Sequence, residues 1–292
     1  MPPVLLLDTY SLFFRSFHAL PMMNTQAGRP TNALFGFSSL LIKLWREEKP
    51  VGTTFALDAP ARTFRHELYP EYKAERARAP EPLVVQLRVL DELIEKSELP
   101  AFRVPGFEAD DVLATLAREL ESSGSEVLVV SGDRDLLQLA TSSTKVLFTG
   151  RRGKDSVLYD PSTVQERFGI PPRKLPAYIA LVGDTSDNIR GVAGIGPGTA
   201  EKLLAKYEGI DDLLVHVSEQ PAAIRAKLEP EADRIRRNEE LATLRRDVPL
   251  PEGARSGRLG ARGREALRAL FTELEFKSLI ARFDATTASL EA

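Results

Sequence analysis

The sequence predicts an α/β fold: a central, mainly parallel sheet with flanking helices, followed by a helical C-terminal lobe. Three observations predict it. Short apolar runs, VLLLD at 4–8, GTTFALD at 52–58 and EVLVVSGD at 126–133, alternate with amphipathic stretches at 31–48, 83–98 and 108–121, the pattern of parallel strands joined by crossover helices. Each run reaches an aspartate, Asp8, Asp58 or Asp133. Four glycines, Gly191, Gly194, Gly196 and Gly198, then crowd before a helical pattern that begins near Thr199. On this reading residues 1–172 form the α/β core and 173–292 the helical lobe.

Bulk properties narrow the class. With 292 residues, 43% of them hydrophobic and 28% charged, the chain is long enough to bury a sizeable core. It has no cysteine, which removes disulfides, thiolate metal sites and cysteine nucleophiles and makes a reducing cytoplasm the default compartment. MPPVLLLDTY reaches an aspartate after four apolar residues, and no apolar run approaches the roughly 18 residues of a membrane span. A soluble, non-exported monomer is expected. The net charge of −3 argues by itself against nucleic acid, so the distribution of charge has to decide.

Strand 1 ends on Asp8, strand 2 leads to Asp58 and the third run to Asp133. In an open parallel sheet ligands collect beyond the carboxyl ends of the strands, where strand order reverses, so these three can converge; a helix N-cap is the competing reading for each taken alone. The stretch GFEADDVLATLAREL opens a helix with Glu108, Asp110 and Asp111, whose apolar face is Val112, Leu113, Leu116, Ala117 and Leu120. The helix dipole favours one or two acids there; three repel one another without a cation. SGDRDLLQL adds Asp135 beside Asp133, and VGDTSDNIRG adds Asp184 and Asp187. All are hard oxygen ligands, with no histidine or cysteine among them, which suits Mg²⁺ or Mn²⁺ rather than zinc. Two such ions about 3.5 to 4 Å apart can clamp the attacking and leaving oxygens of a phosphodiester.

The glycine stretch, GVAGIGPGTAEKLL, flanks a tight turn with Val192 and Ile195 and reads as a helix-hairpin-helix. Backbone N–H groups and a helix N-terminus meet phosphate oxygens where a side chain would obstruct; an ordinary turn between helices is the competing reading. Between Asp58 and the next long helix, Arg62, Arg65, Lys73, Arg76 and Arg78 outnumber Glu67, Glu71 and Glu75, with Phe64, His66, Tyr69 and Tyr72 interleaved. That mixture suits a single strand passing through a positive channel; a solvated helical face is the alternative.

Taken together and in order, FDAPARTFRHELYPEYKAERA, PGFEADDVLATLA, VVSGDRDLLQL and ALVGDTSDNIRGVAGIGPGTAEKLL resemble the 5′ nuclease family, which includes the 5′→3′ exonuclease domain of bacterial DNA polymerase I and the flap endonucleases. The resemblance runs over residues 3 to 285. It implies a PIN-like core with an H3TH helix-hairpin-helix lobe, and a metal-dependent 5′→3′ exonuclease and 5′-flap endonuclease acting in DNA replication and repair, including removal of Okazaki-fragment primers. By this resemblance Asp8, Asp58, Glu108, Asp110, Asp111, Asp133, Asp135, Asp184 and Asp187 are the metal ligands, with Asp8, Asp58, Glu108 and Asp110 nearer one Mg²⁺ and Asp133, Asp135, Asp184 and Asp187 nearer the second. Mn²⁺ is the alternative ion, and the hairpin has room for a K⁺. Residues 60–82 would be the arch over the active site, with Tyr72, Lys73 and Arg76 at the scissile phosphate: Lys73 stabilising developing charge, Tyr72 stacking on a base. Arg15, Arg65, Arg190, Gly191, Gly194, Ile195, Gly196, Gly198 and Thr199 would contact DNA. The implied partners are DNA with 5′ flaps, nicks or 5′ ends and a polymerase module in cis or in trans; the implied location is the nucleoid.

Three positions depart from the family pattern: Thr9 stands where glycine is common, Arg190 where proline is, and Gly198 where the hairpin more often carries lysine. None is a proposed ligand. His18 and His216 are read as packing or surface residues, and Phe35, Phe37, Leu41 and Trp45 as core. The arginines from Arg225 to Arg268 are laced with glutamate and read as a solvated surface. No P-loop is present. A haloacid-dehalogenase phosphatase would need a second aspartate where Tyr10 stands. A non-catalytic DNA-structure binder remains the second reading.

Overall fold

The computed structural model describes residues 1–150 and 156–290. A six-stranded sheet forms the centre: β1 (Val4–Asp8), β2 (Gly52–Ala56), β3 (Ala101–Phe102), β4 (Val127–Ser131), β5 (Thr144–Phe148) and β6 (Val157–Tyr159) lie in the order β3-β2-β1-β4-β5-β6. The first five are parallel and β6 runs antiparallel at the edge. The chain winds from β1 toward β2 on one side and passes to β4 on the other, so strand order reverses beside β1. That reversal opens a crevice at the carboxyl end of β1, where Asp8 stands.

The sheet is buried on both faces. Along β1 every residue is inaccessible, and side chains alternate between two cores. Val4 and Leu6 join Val127 and Val129 on one face; Leu5 and Leu7 join Leu128 and Val130 on the other. This explains why the strands read as unbroken apolar runs. On the second face pack α1 (Thr9–Ala19), α2 (Asn32–Glu48) and, after the short α3 (Phe64–Leu68), α4 (Glu81–Ser97). Phe37, Leu41 and Trp45 are buried there, and Phe35 packs against them, as expected. On the first face lies α5 (Ala109–Ser122), whose amphipathic stripe of Val112, Leu113, Leu116, Ala117 and Leu120 is buried.

The helical part comprises α6 (Pro161–Phe168), α7 (Leu175–Val182), α8 (Pro197–Lys206), α9 (Ile210–Val215), α10 (Ala222–Leu228) and α11 (Ala232–Ala242). Between α7 and α8 sits a two-stranded ribbon, β7 (Gly183–Asp184) against β8 (Ile189–Arg190). The expected lobe of 173–292 does not hold together as one body. The last two helices, α12 (Ala261–Glu273) and α13 (Lys277–Ser289), return to the α/β core: α12 packs on α4 and α13 on α2, with Phe276 edge-on to Phe35 at 5.3 Å. Their apolar face, Leu267, Leu270, Phe271, Leu279 and Phe283, closes the second core. No helix among the described residues is long and apolar enough to cross a membrane.

One ion pair ties these parts together and corrects two sequence expectations. Arg65, expected on DNA, is 1% exposed. Its guanidinium grips both oxygens of Asp111 at 2.7 and 2.9 Å and donates to the carbonyls of Leu241 and Thr243. Asp111, expected on a metal, is 0% exposed and accepts further bonds from the backbone N–H of Glu108 and of Arg245. Burial alone would lower the Arg65 pKa, but the paired carboxylate outweighs it and holds the pKa above the ordinary value. The pair thus joins α3, α5 and the end of α11, and neither residue is left over for a ligand. Removing one partner strands a buried charge. Arg65→Ala should lower stability by about 3–5 kcal/mol, seen as a lower urea midpoint, whereas Arg65→Met with Asp111→Leu should recover most of the loss.

Candidate active site

The aspartates at the strand ends do converge. Asp8, Asp58, Glu108, Asp110 and Asp133 line one cleft of 810 Å³ together with Arg15, Lys73 and Arg76. Asp8 is the last residue of β1, Asp58 follows β2, and Asp133 follows β4. Glu108 is the N-cap of α5 and closes a capping box with Asp111, which leaves Asp110 on the first turn to face the cleft. Asp58 Oδ1 accepts the Ala109 N–H at 2.8 Å, locking the start of α5 to the end of β2. Asp135, buried at the start of a 3₁₀ turn, donates its backbone N–H to Asp133.

The second pair of aspartates comes from the ribbon. Asp184 closes β7, and Asp187 lies at the tip before Asn188, which adopts a left-handed conformation with φ of 59°. The ribbon is pressed against the end of α7: a Cβ on Gly191 would stand 2.3 Å from the Val182 carbonyl group, and Gly183 has φ of 89°. Those two glycines set the close approach of the ribbon to α7; Asp187 then meets Tyr72 and Arg76 beside the cleft, while Asp184 lines a neighbouring depression with Arg134 and Arg190. Asp184 accepts from the Ser186 N–H and hydroxyl, both at 2.6 Å.

Charge is concentrated here beyond what the local cations cancel. Burial, and then repulsion from Asp58 and Asp133, pushes Asp8 up to about 7 in spite of a short hydrogen bond from Ser131. Burial followed by neighbouring carboxylates also raises Asp110 and Asp135 well above the usual range, and Asp133 is raised chiefly by burial. Asp8 and Asp135, buried, and Asp110 and Asp133, half-buried, resist ionisation together and form a donor set that a hard divalent cation would satisfy. The residues therefore fit such a cation.

The fit is incomplete as the side chains stand. Among the described residues no three acidic groups surround one point closely enough to hold an ion. The basic segment was expected to arch over the site. It is folded down onto the ribbon, with the Lys73 N–H bonded to the Asp187 carbonyl and Asn188 Nδ2 to the Glu71 carbonyl. Lys73 Nζ lies 2.8 Å from Glu108 Oε2, and Arg76 Nη2 lies 2.8 Å from Asp187 Oδ1. Tyr72, expected to stack on a base, is 3% exposed; its hydroxyl meets Asp187 Oδ2 at 2.7 Å and Glu108 Oε2 at 3.2 Å. Burial and these two acids raise its pKa, so the phenol keeps its proton and donates.

The other expected contacts are divided. Arg15 reaches from α1 to the carbonyls of Gly132 and Thr149, at the cleft margin. A Cβ at Gly132 would displace that guanidinium, so the glycine leaves room for the Arg15 contact. Arg190 is exposed on the ribbon. In the turn that follows, Val192 and Ile195 are buried, so Ile195 anchors the hairpin rather than facing a ligand. Gly194, at φ of 77°, makes the turn, while Gly196 and Gly198 expose backbone with nothing within 4 Å of an added Cβ. The helix starts at Pro197, two residues before the expected Thr199, which is half-buried. His216 is on the surface against Asp212, whereas His18, also exposed, borders the cleft. Sequence reasoning missed Ser131, whose buried hydroxyl bridges Asp8 and the Asp133 N–H; its only signal was its place between an apolar strand and Gly132.

Two family models match consecutive halves of the chain: a 5′-3′ exonuclease N-terminal resolvase-like domain over residues 3–169 and a 5′-3′ exonuclease C-terminal SAM fold over 170–264. DNA polymerase I of Mycobacterium tuberculosis is 39% identical over 290 residues, covering 99% of this chain and 32% of that protein. The thermostable DNA polymerase I of Thermus filiformis is 40% identical over 285 residues, covering 97% and 33%. The chain thus spans about one third of the length of these relatives. Among solved structures, a bacteriophage T5 flap endonuclease in complex with DNA and metal ions shares the fold, with a TM-score of 0.67, 20% identity and 99% coverage of both chains. With both halves matched and the relatives aligned from end to end of it, this chain belongs to the 5′-3′ exonuclease family.

Proposed function

We propose that the chain is a divalent-metal-dependent nuclease that hydrolyses DNA phosphodiesters near a 5′ end or at the base of a 5′ flap. The observation that carries this reading is the cleft in which Asp8, Asp58, Glu108, Asp110 and Asp133, from four separate chain segments, meet beside Lys73 and Arg76. Asp8, Asp110, Asp133 and Asp135 are the core of the cation-binding set, with Asp58, Glu108, Asp184 and Asp187 completing two sites. Bound there, two Mg²⁺ or Mn²⁺ ions would supply charge neutralisation of the scissile phosphate and acidify the attacking water. The chain's own residues do the rest. The hairpin backbone from Gly194 to Gly198 holds the duplex, Arg190 and Arg15 hold phosphates on either side, and Lys73 and Arg76 take up the charge that grows on the scissile group.

A role in primer removal during replication and repair, beside a polymerase module, is supported by the DNA polymerase I relatives, of which this chain covers one third. Retention of these carboxylates disfavours a purely structural DNA binder, in which nothing would offset the cost of burying them together.

Incubating a 5′-flap duplex with Mg²⁺ should release short products that EDTA suppresses; equal product in both, or none in either, would sink the proposal. Asp135→Asn should abolish cutting yet leave flap binding in Ca²⁺ measurable. Because Asp8 holds a proton below about 7, an ion must displace that proton to bind. Mg²⁺ should therefore raise Tm more at pH 8 than at pH 6, with a pH-independent increment counting against Asp8 as a ligand. Gly198 has open space around it, so Gly198→Lys should fit without strain. It should tighten duplex binding and steepen its salt dependence by about one counterion.

A further inference from the structure

We infer that Tyr72, Lys73 and Arg76 form an internal countercharge that competes with divalent cations for Glu108 and Asp187, so that ion binding releases this segment to meet the substrate. The inference rests on the metal-dependent reading above and adds an order of events to it.

Both oxygens of Asp187 are occupied, Oδ1 by Arg76 and Oδ2 by the Tyr72 hydroxyl, with Lys73 Nζ 3.8 Å from Oδ2. Glu108 Oε2 takes Lys73 and, at longer range, the same hydroxyl. Two carboxylates, one at the head of α5 and one on the ribbon, are thereby held by three side chains within five residues of one another. A cation bound to Asp187 would share oxygens that already accept from Arg76 and Tyr72, which weakens both bonds, and it would bring like charge against Lys73 and Arg76. Repulsion thereby sets ion and segment against each other at these two acids.

The same contacts conflict with the role of the segment in the reaction. Lys73 cannot neutralise Glu108 and a phosphate oxygen at once, and Tyr72 has no exposed face while its hydroxyl is buried between acids. Once the ions take over both carboxylates, the charged contacts that hold the segment down are removed, and what remains is the packing of the Tyr72 ring on Ile179, Ile189 and Leu241. Beyond Tyr72 the segment is loosely held: Glu71, Glu75, Arg76, Ala77 and Arg78 are exposed, and its other bonds to the ribbon are the single Lys73 N–H and the Asn188 amide. Lys73 itself has φ of 56°, a left-handed conformation unusual for a residue with a side chain, which leaving the ribbon would relieve. Ions first and strand second is the sequence of assembly this geometry favours.

Hydrogen exchange of the full chain with and without millimolar Mn²⁺ reads this directly. Amides of 70–79 should exchange faster when the ion is present while those of 183–190 slow, the reverse of the general protection that ligands confer. Unchanged or slower exchange at 70–79, with Mn²⁺ demonstrably bound, overturns the inference and leaves the nuclease reading standing. In Mn²⁺ binding followed by electron paramagnetic resonance without DNA, Arg76→Ala should bind the ion several-fold more tightly than wild type, and Arg76→Lys should restore wild-type affinity. Equal or weaker binding by Arg76→Ala overturns it. A wild-type chain that binds no Mn²⁺ at millimolar concentration overturns both.

Discussion

Burying like charges together is the constraint on which this structure depends. Carboxylates repel when desolvated, and a fold that lines one cleft with five of them, with Asp135, Asp184 and Asp187 close enough to repel Asp133 or one another, must offset that cost. It does so with three local devices. Asp111 is removed from the cluster by a fully enclosed bidentate pair with Arg65. Glu108 and Asp187 are neutralised by Lys73 and Arg76. Asp8, Asp110, Asp133 and Asp135 receive too little of either and respond by shifting toward the protonated form.

Much of this was legible in the sequence because strand ends are marked twice, by the stop of an apolar run and by the aspartate that follows. Asp8, Asp58 and Asp133 came from that signal, and the sheet order brings them together for the reason that strand order reverses at β1. What sequence could not resolve is which way a side chain turns on the first helical turn. Asp110 and Asp111 are neighbours of identical chemistry, yet residues adjacent on a helix are set about 100° apart, so one faces the cleft and the other faces Arg65. Arg65 was misread for the same reason. An arginine in a basic, aromatic-rich segment looks like a phosphate contact until a buried acid on another helix claims it.

The domain boundary illustrates a different limit. Continuity of helical pattern after residue 173 gives no hint that α12 and α13 leave their neighbours, because an amphipathic stripe does not specify which surface covers it. Phe271, Phe276, Leu279 and Phe283 could close any apolar face; here they close the one formed by α2 and α4. The consequence is mechanical. The ribbon and hairpin sit on α7 and α8, inserted between two parts of the chain that are both anchored on the sheet, and the Arg65 bonds to Leu241 and Thr243 fix the far end of that insertion.

Such anchoring explains how a ribbon of two residues per strand can hold Asp184 and Asp187 in fixed positions. Gly191 and Gly183 allow its backbone to touch the end of α7, while Asn238 on α11 donates to the carbonyls of Ala180 and Arg190, clasping ribbon and helix together. Rigid backbone is thus supplied on the side of Asp184 and Asp187, and adjustable side chains on the side of Lys73 and Arg76. That division lets charge be rearranged without moving the acids: they stay where the sheet and ribbon put them, and the basic side chains that share them are carried by an exposed segment. The net charge of −3 then says nothing against an anionic substrate, since it is the local distribution that matters: Arg15, Lys73 and Arg76 line the cleft, and Arg78 and Arg190 are exposed.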